Sequence, residues 1–428
     1  MKINHLSKIC SFGGLYFVLD QYDNFNLERL LDESLPHLSA NSVYSWKDII
    51  YSFASILYCG GHSIEDAKTV LGHQISENPK FNLCSPDTIL RRFKELATED
   101  EFCKTPRGSV THQFNCNSAL NKLNIKLLKS LGEFDKDSIV LDYDNTIVFT
   151  EKQDCNMTYK KQYGYQPGVC MLNESKILYI ENRNGNSDAK SFQNETLTRM
   201  FDELKAQGIT KIDKFRADAG SHHFDAIQVV ENNVNTFYIG AKTAYVSKYF
   251  TEVKQWHPAQ DQMGDDIFYG YIDIVPFKNR YKMGDSKKTY RLLVKKKKRS
   301  DGQLNVFTNE AYDYHSVLTN DFKIEALQGL QFYYRRGAAE KQFDVMKNDF
   351  GWNYPAFSKL SQNTVFLYIS ALINNMNEKV LTELSTIYKS VQTKYRMKRF
   401  IFKFISIPAK WVFRSRQWQL NIYGKLQV

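Results

Sequence analysis

The sequence contains no C-x-x-C pair, and its seven cysteines (Cys10, Cys59, Cys84, Cys103, Cys116, Cys155 and Cys170) are an odd number scattered through the first part of the chain. They read as reduced thiols of a cytosolic protein rather than as a disulfide framework. Long apolar runs are missing as well. The best, "TVFLYISALI" near Val365 to Ile373, falls far short of the ~20 residues that span a bilayer, so no membrane segment is expected. The opening "MKINHLSKICSFGGLYFVLDQYD" lacks a long apolar core and a small-residue cleavage site, and export is not expected. Internal repeats, heptads and low-complexity linkers are absent, so composition marks no unit boundaries. Acid is the minority charge: 57 Lys and Arg face 47 Asp and Glu, giving +10 and a pI near 9.0. That balance suits a polyanionic partner, and equally a mildly basic cytosolic protein. What is present is ordinary for a globular chain: 428 residues, 43% hydrophobic and 24% charged, enough for two or three structural units.

Residues 1–135 read as helical, with periodic apolar positions from Trp46 to Gly61, Ser63 to Gly72 and Ser85 to Ala97. In the last of these Ser85 suits a cap, Pro86 the first helical position and Asp87 the positive helix N-terminus, while Arg91, Arg92 and Lys94 give a basic face. Helix, short turn and basic helix fit a helix-turn-helix DNA-binding arrangement, and equally a helical bundle with solvated charges. Over 136–240 the pattern changes to "DSIVLDYDNTIVF", "GVCML", "KILYIENRNG", a helical "AKSFQNETLTRMFDELKAQG", "ITKIDKFRAD", a helix near His223 to Asn232, and "TFYIGAKT". Three strands, helix, strand, helix, strand is the order of an α/β mixed sheet of the RNase H-like kind.

Residues 241–316 read as a β-rich insertion with strands in "DIFYGYIDIVPF", "KKTYRLLVKKKK" and, after a Ser300-Asp301-Gly302 turn, "LNVFT". Lys295, Lys296, Lys297, Lys298 and Arg299 form a basic run expected at a hairpin tip, suited to phosphate contact and equally to solubility. Residues 317–385 return to helices, and 386–428 form a basic, aromatic C-terminal segment. The expected fold class is therefore α/β, an RNase H-like mixed-sheet core interrupted by a β-rich insertion and preceded by an all-helical region.

Chemistry concentrates in three acids. Asp142 and Asp144 end the first strand of the sheet and, with period two, share a face. Asp218 follows the fourth strand, and sites in open α/β sheets form at the carboxyl ends of strands. Taken singly, Asp144 suits an Asx turn and Asp218 a helix cap. The third acid lies in "GLQFYYRRGAAEKQFDVMKNDFGW", read as one helix from Gly329 to Trp352. There Tyr333, Arg336, Glu340 and Lys347 fall within a stripe of roughly 60°. Phe332, Ala339, Phe343, Met346 and Phe350 form a separate apolar stripe turned roughly 80° from it, so the helix already has a core face. A surface Arg336–Glu340 pair is the bland alternative, contributing only ~0.3–0.5 kcal/mol. Carboxylates meeting at one point repel unless cations neutralise them, and oxygen ligands imply Mg2+ or Mn2+. Two such ions ~4 Å apart activate a water or 3'-hydroxyl and stabilise the leaving oxygen in an in-line phosphoryl transfer.

With these residues in place, the chain resembles bacterial insertion-sequence transposases of the DDE type, in the group marked by Y-x2-R-x3-E-x6-K. Tyr333, Arg336, Glu340 and Lys347 meet that signature, "LDYDNT" resembles the group's D-x-T at the first acid, and "RADAGSH" its R-x-D-x-G at the second. Ser221 stands where relatives often carry an aromatic. The resemblance implies Asp144, Asp218 and Glu340 as metal ligands, with Asp142 the alternative first acid, and phosphate contacts by Tyr333, Arg336 and Lys347. It also implies double-stranded DNA as the partner, as transposon ends and target, a homodimer that holds two ends together, and a cytoplasmic, nucleoid-associated protein. Some members stack a flipped base on an aromatic of the insertion, for which Trp256 is the candidate alongside a plain packing role. Two other readings carry the same residues: a nuclease that cuts without joining strands, and a DNA-binding relative without catalysis. His222 and His223 beside Asp225 suggest a transition-metal site, with helix-start residues the blander and preferred reading.

Overall fold

The computed structural model describes residues 9–426 other than 76, 105–107, 109, 189, 262, 283–285 and 425; the export reading of the chain's opening falls partly on residues 1–8, outside them. One sheet contains strands β1 (Glu101–Lys104), β2 (Thr111–Asn115), β3 (Val140–Asn145), β4 (Gly168–Leu172), β5 (Lys176–Arg183), β6 (Lys214–Ala217), β7 (Thr236–Gly240), β8 (His257–Gln260), β9 (Asp266–Ile274), β10 (Tyr290–Lys298) and β11 (Tyr312–Thr319). Their spatial order is β1-β2-β5-β4-β3-β6-β7-β11-β10-β9-β8. The longer helices are α1 (Leu15–Asn24), α2 (Leu27–Ser34), α3 (Trp46–Tyr58), α4 (Pro86–Glu95), α5 (Ser118–Ser130), α6 (Gln193–Ala206), α7 (Phe224–Glu231), α8 (Ala326–Tyr334), α9 (Gly337–Asp349) and α10 (Leu360–Ile387). None among the described residues is long and apolar enough to cross a membrane.

At the centre β3, β4 and β5 run antiparallel, while β6 and β7 lie parallel to β3 on its other side. Three strands, α6, β6, α7, β7 is the order expected from the sequence, and the two crossovers run through the helices that parallel pairing requires. Alternation decides which residues face which layer. Leu141, Tyr143, Phe215 and Phe237 pack under α6 and α7 with Leu197, Phe201 and Ile227. The opposite face, through Val169, Met171 and Ile180, packs against α10 and the N-terminal helices. Beyond its short pairing with β2, β5 offers unpaired backbone groups to these helices. Asn375 of α10 bonds both N–H and C=O of Ile177, and Asn124 of α5 donates to the carbonyls of Ile177 and Leu178, so buried side-chain amides satisfy that edge.

Four expectations are corrected. The N-terminal region is not all helical: β1 and β2 extend the main sheet, β2 pairing with Arg183 and Asn182 of β5. Nor does it hold its own core, because Phe53 of α3 packs edge-on against both Phe93 of α4 and Phe366 of α10. The helix expected from Ser63 to Gly72 shrinks to two turns, Asp66–Thr69 and Leu71–His73, so no short turn joins α3 directly to α4. "LNVFT" forms no strand; the partner of β10 is instead β11, which reaches Thr319, past the expected end of the insertion. Finally, the stretch from Gly329 is two helices, α8 and α9, separated at Arg335 and Arg336. Phe332 therefore leaves the apolar stripe and packs on Tyr238, whereas Ala339, Phe343, Met346 and Phe350 stay buried in the core shared with α10.

Candidate active site

Parallel pairing of β3 and β6 aligns Tyr143 with Ala217, so Asp144 and Asp218 leave adjacent strands at the same level, one residue beyond the ladder. Neighbouring strands lie about 4.8 Å apart. The two acids feel each other: burial, with the Asp218 charge adding to it, pushes the Asp144 carboxyl up to about 6 against the opposing Arg336 charge. Asp218 also performs the bland role expected of it, its Oδ1 accepting from Gly220 N at 2.8 Å to cap the turn Ala219–Ser221. A Cβ at Gly220 would meet that oxygen at 2.7 Å, so the cap needs glycine there.

Arg336 closes the site from the helical side. Its Nη1 donates to Asp144 Oδ2 at 2.8 Å and its Nη2 to Glu340 Oε1 at 3.3 Å, so one guanidinium bridges an acid of the sheet and an acid of α9. The break between α8 and α9 makes this possible, because it frees Arg336 from a helix interior while Glu340 sits in the first turn of α9, near its positive end. Asp144 is 17% exposed and Glu340 70%, so the bridge runs from a recess to its rim. Tyr333, the last turn of α8, covers the other side: a Cβ on Gly240 at the end of β7 would lie 2.4 Å from its hydroxyl. Burial raises the phenol pKa, with the Arg336 charge acting against the rise. Lys347 lies two turns beyond Glu340 on α9, where burial and the Lys160 charge lower its ammonium pKa.

Asp142 takes no part in this recess. Arg216, directly opposite it on β6, holds both its oxygens at 2.6 and 2.7 Å, and donates further to Phe332 O and Glu174 Oε1. Arg216 is fully buried and lies 4.7 Å from the centre of the Phe332 ring. Sequence reading missed this anchor, although the arginine of "FRAD" stands two residues before Asp218 and faces Asp142 by register.

The other sequence-derived candidates lie elsewhere. Arg91 and Arg92 of α4 both pair with Glu95, and Arg92 also bonds Ser42. The basic run lies along the second half of β10 rather than at a tip, and alternation splits it. Lys297 pairs with Asp261 and Asp265, Arg299 with Asp301 and Asp313, and Lys295 lies over Tyr334. Lys298, the last residue of β10, is exposed. Lys296 sits 4.2 Å from the centre of the Trp256 ring, which packs edge-on to Tyr314 within the insertion. His222 and His223 do not form a metal pair. His222 Nδ1 accepts from Lys242 N, His223 caps α7 at Ala226 N, and burial pushes both rings down to about 4, which keeps them neutral.

Chemically, Asp144, Asp218 and Glu340 are an all-oxygen donor set, which fits a hard divalent cation. Among the described residues no three Asp, Glu, His or Cys side chains converge closely enough to hold an ion as they stand. The fit lies in charge and donor type: a cationic guanidinium already occupies the space between Asp144 and Glu340.

A family model described as the transposase DDE domain, group 1, matches residues 5–426, and the chain belongs to that family. The protein is thus a DNA transposase, of a class that works with divalent metal ions. No curated protein matches it. Among solved structures, the cryo-EM structure of the piggyBac transposase synaptic complex with hairpin DNA is similar over 92% of this chain and 77% of that one, at 10% identity and a TM-score of 0.43.

Proposed function

We propose that the chain is the transposase of a bacterial insertion sequence, of the group with the Y-x2-R-x3-E-x6-K signature. It binds the terminal inverted repeats as a homodimer, cuts the element ends and joins their 3'-hydroxyls to target DNA. The observation that carries this reading is the Arg336 bridge, which brings the first acid of the sheet, Asp144, and the signature acid, Glu340, to one guanidinium beside Asp218. Two Mg2+ ions held by Asp144, Asp218 and Glu340 would supply activation of the attacking oxygen and neutralisation of the leaving one. The chain's own residues prepare that event. A DNA phosphate near the scissile bond accepts the planar, bidentate donors of Arg336, which then release Asp144 and Glu340 to face each other. Tyr333 offers a phenol over the end of β7, and Lys347 a cation about 10 Å further along α9, spaced to hold the backbone beyond the cut.

Purified protein incubated with Mg2+, labelled element ends and a target plasmid should yield both end cleavage and strand-transfer products, and Glu340→Ala should yield neither. If wild type gives no products, or Glu340→Ala cleaves normally, the mechanism is wrong. Cleavage without joining would identify the nuclease reading, and retained end binding with no products the binding-only one.

A further inference from the structure

Residues 388–428 contain ten Lys and Arg and no Asp or Glu, so the entire formal charge of +10 resides there and the preceding residues balance to zero. Among the described residues, most of this charge has no acidic partner. Among the described residues of the segment, Arg396 makes ion pairs, to Asp344 and Asp349, and no other cation does. The segment ends in a two-stranded ribbon, β12 (Ala409–Arg414) and β13 (Gln417–Ile422), separate from the main sheet. Its root is fixed: Ala409 exchanges both backbone hydrogen bonds with Cys10, and Trp411 packs edge-on against Tyr16. Its tip projects, turning through Ser415 and Arg416, both with positive φ, which matches the strong twist of a two-residue hairpin.

Alternation gives the ribbon two unlike faces. Trp411 and Leu420, opposite each other near the root, continue outward into the exposed pair Phe413 and Trp418, 5.3 Å apart. The other face carries Lys410, Arg414, Gln417, Gln419 and Asn421 around a central Val412, and its polar side chains donate to phosphates and to base edges. A two-stranded ribbon is also narrow enough for a DNA major groove.

We propose that this ribbon is a docking element for duplex DNA, its Lys410–Arg414 face and Arg416 tip laid against the phosphate backbone; the proposal rests on the transposase reading above. The paired cations of α4 and β10 are not equivalent to it, because each would have to surrender an acid before taking a phosphate.

The test is binding of the full chain to a short labelled duplex across a salt series, followed by anisotropy. Arg414→Gln/Arg416→Gln is expected to bind at least tenfold more weakly at about 0.1 M salt, with the log–log salt slope shallower by about 2. Arg91→Gln/Lys297→Gln is expected to keep the wild-type slope. In wild type, Lys410 is expected to be protected from acetylation when duplex is present. A ribbon variant with wild-type thermal midpoint, affinity and slope, together with an unprotected Lys410, overturns the proposal and leaves the catalytic reading intact. Wild type that binds no duplex overturns both readings.

Discussion

Asp142 and Asp144 stand two residues apart on one strand, each paired to an arginine, and the two pairs are built for different ends. The Asp142–Arg216 pair is sealed: both carboxylate oxygens and all three Arg216 nitrogens are hydrogen-bonded, at 1% and 0% side-chain exposure. Asp144 gives one oxygen to Arg336, which shares itself with a largely exposed Glu340. A buried, multiply hydrogen-bonded pair fixes geometry, because removing either partner leaves an uncompensated charge in the core. A guanidinium shared with a largely exposed carboxylate exchanges partners at far lower cost. The first locks β3 to β6 and holds α8 by Phe332; the second leaves its carboxylates free to change partners, as the proposed chemistry requires.

The largest expected effect breaks the working pair. Asp144→Asn should lower strand-transfer rate by about 10⁴-fold, about 5.5 kcal/mol of barrier, with the fold unchanged by circular dichroism. Activity within tenfold of wild type would remove Asp144 from the chemistry. Next comes the sealed pair: Arg216→Met should cost about 3–5 kcal/mol of stability in urea unfolding, because Asp142 is left buried and alone. Asp142→Leu combined with Arg216→Met should recover most of that loss. A double variant as unstable as the single would mean that the arginine acts through Phe332 rather than through Asp142.

The contrast between the pairs was only half legible in the sequence. β3 to β7 and the helices between them were readable because the strands lie in apolar, β-branched runs separated by amphipathic helices, and acids at the carboxyl ends of strands are visible in "VLDYD" and "FRAD". The roles of Asp142 and Asp144 were not, since both lie on one face and the difference comes from Arg216, more than seventy residues away. The break before α9 had a local signal, Gly337 after two arginines, that the regular polar stripe concealed. Two cores pull the halves apart, Tyr238 drawing Phe332 one way and α10 drawing Phe343 and Met346 another. β1 and β2 escaped notice because neither "EFCK" nor "THQFN" alternates as a half-buried strand should. The acidic partners of the basic run were hidden for the same long-range reason, Lys297 finding its acids in Asp261 and Asp265 across the hairpin.

The smallest effect sharpens the comparison most, because burial raises the carboxyl at both sites and only the partner left behind by its loss differs. The Asp144 carboxyl, raised by burial and by Asp218 to about 6 from 3.8, binds a proton more tightly folded than unfolded. Its contribution to stability is therefore fully present below about pH 4 and is lost as pH rises through 6, by up to about 3 kcal/mol at 1.36 kcal/mol per pH unit. Asp144→Asn removes that loss. Unfolding free energies in chelating buffer should therefore coincide for wild type and Asp144→Asn near pH 4, then diverge until the variant is the more stable at pH 7. Burial raises the Asp142 carboxyl as well, but Asp142→Asn leaves the buried Arg216 guanidinium without its charge partner, so this variant should be less stable than wild type at pH 7. If Asp144→Asn is also destabilised there, Asp144 is structural ballast for Arg336, and the division between a locked pair and a working one collapses.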